Sequence, residues 1–596
     1  MKKQIRVNDY IANFLERKSV EYVFLVTGGG AMFLNDGIAK SNIKGIFNHH
    51  EQACAMSALG YTKSTNKVAV VMPTTGCGST NAITGLLDAW QDSNKVVYIS
   101  GNVKSKETTY VNKTPLRKFG VQEANIIKIV ESITKYSVMV TEPNTIAYHL
   151  EKAFYECENG RPGPVWIDVP LDVQSAFIQE KDLIHFNSEK IMSEKIDLNQ
   201  FKKLLKKSKR PVVIAGYGIH LSDTRDQFID FIEQYNLPVT VTYLAIDLLN
   251  SNHKNYIGRL GTKGDRAGNF AVQNSDLIIS LGSSLNVSVT GFQYEYFARE
   301  AKVIAVDIDV NEHKKNTIKI DLEINCDLKL FFNSLDMLDY FCDQNWINKA
   351  ISWRNKWPVF QEEYYNTEDG INMYLIIKEI SKRIKNNYTV VSDAGSAYYV
   401  TAQSLLINDN AKHITSGAQA EMGFTIPAAI GVSLANKKGI VIGITGDGSF
   451  QMNIQELQTI VNYNLPIKLF VLNNGGYLSI RNTMDRFFDS RYFGTDESSG
   501  LKFPSIKKIA KAYGIEYNLL KTIDDINCDL NNILESSNAK IIEVICPFKQ
   551  EMKPSSSTKV LDDGQLFSPP LEEMYPFLDE DEMKKELIVK KVNNKK

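Results

Sequence analysis

No two cysteines in this chain of 596 residues are spaced as Cys-x-x-Cys. The seven present (Cys54, Cys77, Cys157, Cys326, Cys342, Cys528 and Cys546) are scattered and odd in number. That excludes a zinc ribbon and argues against a disulfide framework, leaving reduced thiols of a cytoplasmic protein as the expectation. Net charge is also lacking: 68 Lys and Arg face 69 Asp and Glu, for a formal −1. Such a balance offers no basic footprint for nucleic acid and no polybasic face for a membrane. No apolar run is long enough to span a bilayer. The start, MKKQIRVNDYIANFLERK, is charged and helix-periodic, without the apolar core of a secretory leader. Histidine is scarce, and His49-His50 has no third ligand at a suitable spacing, so zinc is rejected there as well.

What is present is a composition ordinary for a globular protein, 43% hydrophobic and 23% charged, in a chain long enough for three generous domains. Residues 1–178 alternate apolar runs with helical patterns: VEYVFLV before TGGG, GIF before NHHEQ, VAVVM before PTTGCGSTN, then KVVYISG and PVWIDVP. Alternation of this kind predicts a doubly wound parallel sheet. Residues 179–197 are polar and weakly periodic and read as a linker. A second α/β unit over 198–345 has strands RPVVIAG, LPVTVTY, DLIISLG and KVIAVDID. The GYG at 216–218 lacks the third glycine of a dinucleotide fingerprint and reads as a tight turn. A third unit runs over 365–550, and the tail, 551–596, contains SPPLEEMYPFL and reads as an extended lid or docking strap.

The chemistry concentrates between Ile442 and Leu478, IGITGDGSFQMNIQELQTIVNYNLPIKLFVLNNGGYL. The pattern predicts strand, glycine turn, helix and second strand, a βαβ unit whose polar residues sit where the strands end. Asp447 follows the first strand and Asn474 the second, so both face one crevice at the carboxyl edge of a parallel sheet. Carboxylate and amide oxygens are hard ligands suited to Mg²⁺ or Ca²⁺ that still holds a phosphate. Gly446 and Gly448 admit close backbone approach, and Ser449 opens a helix whose free N–H groups favour an anion. The plain alternative is a βα turn capped by an Asp.

Gly-Asp-Gly followed at a long fixed interval by Asn-Asn resembles the signature of thiamine diphosphate enzymes. The resemblance implies that Asp447 and Asn474 bind the metal, Mg²⁺, by side chain and Gly476 by its backbone carbonyl. HHEQACAMSALGYTK, TTGCGSTN, VQEANI and GRPGPVWIDVPLDVQ resemble segments of the acetolactate synthase and pyruvate oxidase group. On that resemblance Glu51 is the carboxyl that hydrogen-bonds the aminopyrimidine ring. It must be poorly solvated to be protonated near neutral pH, so that the ring's imino nitrogen can remove the thiazolium proton. Gln122 is then an active-site polar group, and Gly28 and Gly29, with Gly395 and Ser396, are cofactor-binding turns. Met422 is the wedge that bends the cofactor, and the Ala420 carbonyl accepts from its amino group. The implied fold is three consecutive α/β domains with parallel sheets: pyrimidine-binding, central and diphosphate-binding. The implied assembly is a homodimer or homotetramer with active sites shared between subunits.

The sequence departs from that group mainly where the group binds its acceptor. Ser284 stands in place of the arginine that faces a second 2-oxo acid, followed by Asn286, Val287 and Ser288 for Asp-Asp-Arg. Thr483 replaces the tryptophan that shapes the acceptor pocket. Cys77, Val121, Leu171, Ser396 and Ala397 replace Pro, Phe, Lys, Gln and His. A serine cannot replace the bidentate carboxylate recognition of an arginine. The reading is decarboxylation of a 2-oxo acid, pyruvate by analogy, with transfer of the two-carbon unit to an acceptor without a carboxylate, such as a keto sugar. A non-ligating decarboxylase and a true acetolactate synthase are the alternatives. FAD stays open, since the central domain binds it in acetolactate synthases and pyruvate oxidases but not in many relatives.

Overall fold

A computed structural model describes residues 4–188, 195–408, 410–437, 439–560 and 565–592. The middle of the linker, 189–194, and parts of the tail, 561–564 and 593–596, lie outside the described residues. Three six-stranded sheets follow one another along the chain, and every strand pair in them is parallel. The first holds β1 (Tyr22–Leu25), β2 (Lys44–Phe47), β3 (Ala69–Met72), β4 (Val96–Asn102), β5 (Tyr136–Met139) and β6 (Val165–Pro170), in spatial order 2-1-3-4-6-5. The second holds β7 (Pro211–Ala215), β8 (Val239–Val241), β9 (Tyr256–Arg259), β10 (Leu277–Leu281), β11 (Lys302–Asp307) and β12 (Leu322–Asn325), in order 9-8-7-10-11-12. The third holds β13 (Tyr388–Ser392), β14 (Lys412–Thr415), β15 (Ile440–Gly446), β16 (Ile467–Asn473), β17 (Glu516–Leu520) and β18 (Lys540–Ile545), in order 14-13-15-16-18-17.

The first and third sheets thus share one topology. Each reverses its winding direction beside its first strand, and in open parallel sheets ligands bind where that reversal opens a crevice at the strand ends. For the first sheet the crevice lies between the turns after β1 and β3, the two glycine-rich turns of the sequence. For the third it lies between the turns after β13 and β15, so Asp447 is placed in it. Inner strands such as β3 and β10 are buried along their whole length, as sheets covered on both faces require.

Helix α1 (Glu51–Thr65) begins at the end of β2, and α2 (Ile83–Gln91) precedes β4. In the central unit α3 (Gln344–Lys356) continues beyond residue 345: it buries Trp346, Ile347, Ala350 and Trp353, and Trp346 Nε1 donates to Pro211 O at 2.9 Å. In the third unit α4 (Gly395–Ser404) follows β13 and α5 (Thr425–Ala435) precedes β15. A Cβ on Gly60 of α1 would collide with Ala428 O of α5, and one on Gly431 of α5 with Ser57 O of α1. Two glycines therefore let the helices touch backbone to backbone, tying the first unit to the third. The crossover after β15 differs from the single predicted helix: α6 (Asp447–Met452) ends at Asn453 and α7 (Leu457–Asn462) resumes after a 3₁₀ turn. The buried Asn453 side chain donates to Gly423 O at 2.9 Å, a tertiary bond that outweighs continuing the helix. Helix α8 (Leu478–Phe487) follows β16.

After Gln550 the chain lies against the central unit. Gln273 Nε2 donates to Glu572 at 2.5 Å, Asn269 Nδ2 to Leu571 O at 3.2 Å, and Arg299 pairs with Glu572 at 2.8 Å. Helix α9 (Glu580–Glu586) docks on α3, where Glu586 meets Lys349 at 2.6 Å, Trp353 Nε1 at 2.8 Å and Lys356 at 3.0 Å. Burial alone would raise the Glu586 carboxyl, but bonds from Lys349, Lys356 and Trp353 outweigh it and hold it at about 2. A depressed carboxyl stabilises the docked state above its unfolded value and loses that contribution as pH falls from about 4.5 towards 2. After discounting for solvent screening, Glu586→Gln is expected to cost the docking about 1–2 kcal/mol near neutral pH. Hydrogen exchange over residues 580–592 should quicken in the variant, and the gap to wild type should close as the medium is acidified.

Candidate active site

Asp447, expected in a turn ahead of a helix opened by Ser449, is itself the first residue of α6. Its Oδ1 accepts from Gly448 N and its Oδ2 from Gly476 N, each at 2.8 Å. Burial pushes its carboxyl up to about 6, since the two amides do not repay the lost hydration. Asn474, 6% exposed, follows β16 in the neighbouring turn. Gly476 adopts φ +138, and a Cβ there would collide with Thr495 O. Gly446 has open space around its Cα, whereas a Cβ on Gly448 would strike the Tyr477 ring.

The facing turn, after β13, brings Asp393, Gly395 and Ser396. Asp393 is fully buried and accepts from Ala394 N at 2.7 Å, Ser449 Oγ at 2.7 Å and Thr445 Oγ1 at 2.9 Å. It joins the two turns of the crevice, a role the sequence reading missed although a strand-end Asp was visible in SDAGS. Ser449 spends its hydroxyl on Asp393 and on Gly423 N, so what it offers a ligand is its backbone N–H. Ser396 keeps a buried Oγ without any hydrogen-bond partner. Gly395 has φ +58, and Ala420 the unusual φ +49 for a residue with a side chain. Such strain persists only where surroundings enforce it. Here they do: Asp92 accepts from Gly417 N at 2.8 Å and Ala418 N at 2.9 Å, while Lys63 pairs with Asp92 at 2.6 Å. Ala420 N donates to Ser416 Oγ at 3.0 Å, and the half-buried Met422 follows two residues on.

At the first sheet's crevice Glu51 is the first residue of α1 and 8% exposed. Its Oε2 accepts from Asn81 Nδ2 at 3.0 Å, and a Cβ on Gly78 would lie 3.1 Å from its Oε1. His50 caps α1 by accepting from Gln52 N, and His49 meets Thr459 Oγ1 at 3.1 Å. Gly28 packs on Thr74, while Gly29 has open space. Gln122 sits in a left-handed turn at φ +58, exposed. Its backbone carbonyl, rather than its amide, meets the Gly76 turn and accepts from Thr75 Oγ1 at 3.4 Å. The buried neighbour Glu123 organises that loop by accepting from Thr109 N at 2.6 Å and Phe119 N at 2.9 Å. Within the one chain the residues beside Glu51 reach the crossover after β15: His49 N donates to Glu456 at 2.9 Å, and Asn453 Nδ2 donates to Gln52 at 3.3 Å.

The arrangement fits a divalent cation carrying a diphosphate. Among the described residues no three His, Cys, Asp or Glu side chains cluster as metal ligands. A single buried carboxylate, an amide oxygen and a carbonyl therefore need phosphate oxygens to complete a hard-ion shell. The orphaned Ser396 hydroxyl and the open space at Gly446 belong to the turns after β13 and β15 that bound that crevice.

The family models agree. Residues 5–136, 198–335 and 393–544 match the N-terminal TPP binding domain, the central domain and the C-terminal TPP binding domain of thiamine pyrophosphate enzymes. The chain is 34% identical to the acetolactate synthase large subunit of Lactococcus lactis, covering 93% of this chain and 95% of that one. It is 31% identical to the acetolactate synthase large subunit of Cyanidium caldarium, with 91% and 94% covered. This chain belongs to the acetolactate synthase-like thiamine diphosphate enzymes. The isozyme 2 large subunit of Escherichia coli is 29% identical, with 90% and 94% covered.

Within this thiamine diphosphate enzyme, Ser284 lines a cavity of about 210 Å³ at the central crevice, with Tyr217, Gly282, Asp307 and Asp327. The Arg161 on its wall is paired with Glu312 at 2.7 Å and Asp309 at 3.2 Å. Thr483 is exposed on α8 and returns its hydroxyl to Ser479 O at 3.1 Å. Among the described residues no helix is long and apolar enough to cross a membrane, and all seven cysteines are unpaired.

Proposed function

We propose that this enzyme decarboxylates a 2-oxo acid, pyruvate, and joins the two-carbon unit to a carbonyl acceptor that lacks a carboxylate, such as a keto sugar. When bound, thiamine diphosphate supplies the carbon nucleophile and the electron sink. Asp447, Asn474 and the Gly476 carbonyl hold Mg²⁺; the backbone of Gly446, Gly448 and Ser449, with Gly395 and Ser396, receives the diphosphate. Glu51 holds a proton at the aminopyrimidine nitrogen, and its burial against Gly78 keeps water from competing. The Ala420 carbonyl and Met422 orient the pyrimidine end, and Gly28 and Gly29 give it close backbone contact. Gln122, exposed in its turn, would be the polar side chain that faces the bound substrate. By analogy with the family, the sites are shared between two copies, in a homodimer or homotetramer. We infer a cytoplasmic setting from the seven unpaired cysteines.

The observation that carries the acceptor reading is Ser284. Its segment brings no cation: Asn286 Nδ2 donates to Ser284 Oγ at 3.2 Å, and Ser288 turns back on Asn286. A guanidinium pair to a carboxylate adds about 1.5–3 kcal/mol per charged hydrogen bond, and nothing in this segment replaces it. Pyruvate turnover with a panel of acceptors, read by mass spectrometry of the products, is expected to yield ligation to keto sugars or neutral ketones. Abundant acetolactate from pyruvate alone would overturn the acceptor reading, and free aldehyde with every acceptor would make the enzyme a simple decarboxylase.

A further inference from the structure

Arg481, on α8, is 1% exposed and has no close counter-ion: Asp496 approaches only to 4.0 Å. Burying a guanidinium without a tight partner costs several kcal/mol unless its protons find acceptors. Here those of Nη1 and Nη2 find backbone, while Nε keeps no partner. Nη2 donates to Asn474 O and to Phe548 O, each at 2.9 Å, and approaches Asn474 Oδ1 at 3.5 Å. Nη1 donates to Gly475 O at 3.4 Å, and the guanidinium lies 3.9 Å over the Phe548 ring. One rigid fork therefore gathers successive carbonyls of the Asn-Gly-Gly turn. The turn needs such a device, because Gly475 and Gly476 both adopt positive φ, +71 and +138, and glycine loses the most chain entropy on being fixed. Two carbonyls of the turn are thus engaged, and Gly476 N is committed to Asp447. The Asn474 side chain and the second lone pair of the Gly476 carbonyl, whose first accepts from Leu478 N at 3.1 Å, are what the turn still offers.

We propose that Arg481 is a positioning residue for the divalent metal. It holds the Asn474–Gly476 turn in its ligating shape before the cation arrives, so less ordering entropy opposes metal binding. The inference rests on the cofactor reading given above. It predicts a metal-affinity defect out of proportion to any loss of fold stability, which a purely structural arginine would not give.

The test uses the full-length enzyme with saturating thiamine diphosphate and titrates Mg²⁺ calorimetrically, with Asp447→Asn beside it. Arg481→Met, which keeps volume and removes the fork, is expected to weaken Mg²⁺ binding roughly tenfold to hundredfold, the usual effect of losing a group that orients a metal ligand. Added guanidinium ion should restore part of the affinity to Arg481→Ala without changing wild type. Should both variants melt below the assay temperature, Arg481→Lys decides, because one ammonium cannot serve the Nη1 and Nη2 acceptors together. Weakened binding in that folded variant supports the inference. Wild-type Mg²⁺ affinity in any folded Arg481 variant, with Asp447→Asn defective, overturns it. Failure of wild type to bind Mg²⁺ with thiamine diphosphate would instead sink the cofactor reading itself.

Discussion

Glu51→Gln is expected to lower turnover by roughly 10²–10⁴, the usual range for losing a positioned proton-transfer group. It is expected to do so without releasing Mg²⁺ or the diphosphate. The carboxyl is buried, held by Asn81 Nδ2, and walled by Gly78, so a glutamine of the same volume keeps the packing and loses only the acid. An amide cannot pass a proton to and fro at the ring nitrogen. The decisive readout is exchange of the thiazolium proton with deuterium, followed by NMR. An unchanged exchange rate in the variant would remove Glu51 from the proton path, whatever the overall turnover does.

Asp447→Asn should act in opposite directions on binding and on stability. Binding should suffer most, because the hard carboxylate is replaced by a neutral amide at the cation. We expect Mg²⁺-dependent retention of thiamine diphosphate on gel filtration to be lost. Stability of the unloaded protein should move the other way. A carboxyl whose folded value is raised to about 6 favours its protonated form in the folded state, so its cost to folding is absent below about 4 and full above 6. The shift corresponds to about 3 kcal/mol at neutral pH. An amide escapes that cost but leaves one of two backbone donors, Gly448 N or Gly476 N, facing an NH₂ group, which costs about 1–2 kcal/mol. A net gain of about 1 kcal/mol is expected, visible as a higher melting temperature without cofactor at pH 7 and absent at pH 4. Equal melting curves at both pH values would show that Asp447 is not the destabilised carboxylate described.

How much of this was legible beforehand follows from where each signal sits. Fully buried inner strands such as VAVVM and DLIISLG are continuous apolar runs and announce themselves. The edge strands β5, β9, β12 and β17 do not: β12, for example, alternates half-buried with exposed residues, and a short segment of that kind reads as loop. The helix break at Asn453 was hidden because its cause, Gly423 O, lies far away in sequence. Gln122 and Glu123 show the same limit. Both are polar, but only the fold buries Glu123 on two loop amides and leaves Gln122 exposed in a left-handed turn.

The sequence by itself determined the family and the parallel α/β architecture, and it carries the proposal of a metal and anion site. These rest on local patterns: strand-end residues, glycine turns and hard oxygen ligands at a fixed interval. Only the tertiary structure decided what surrounds them. Asp393 joins two turns, Asp92 and Lys63 enforce the strained Ala420 turn, and Arg481 gathers the carbonyls beside Asn474. Each is an isolated polar residue whose partners are set by sheet winding order. Their burial and hydrogen bonds exist only once strands distant in sequence lie side by side.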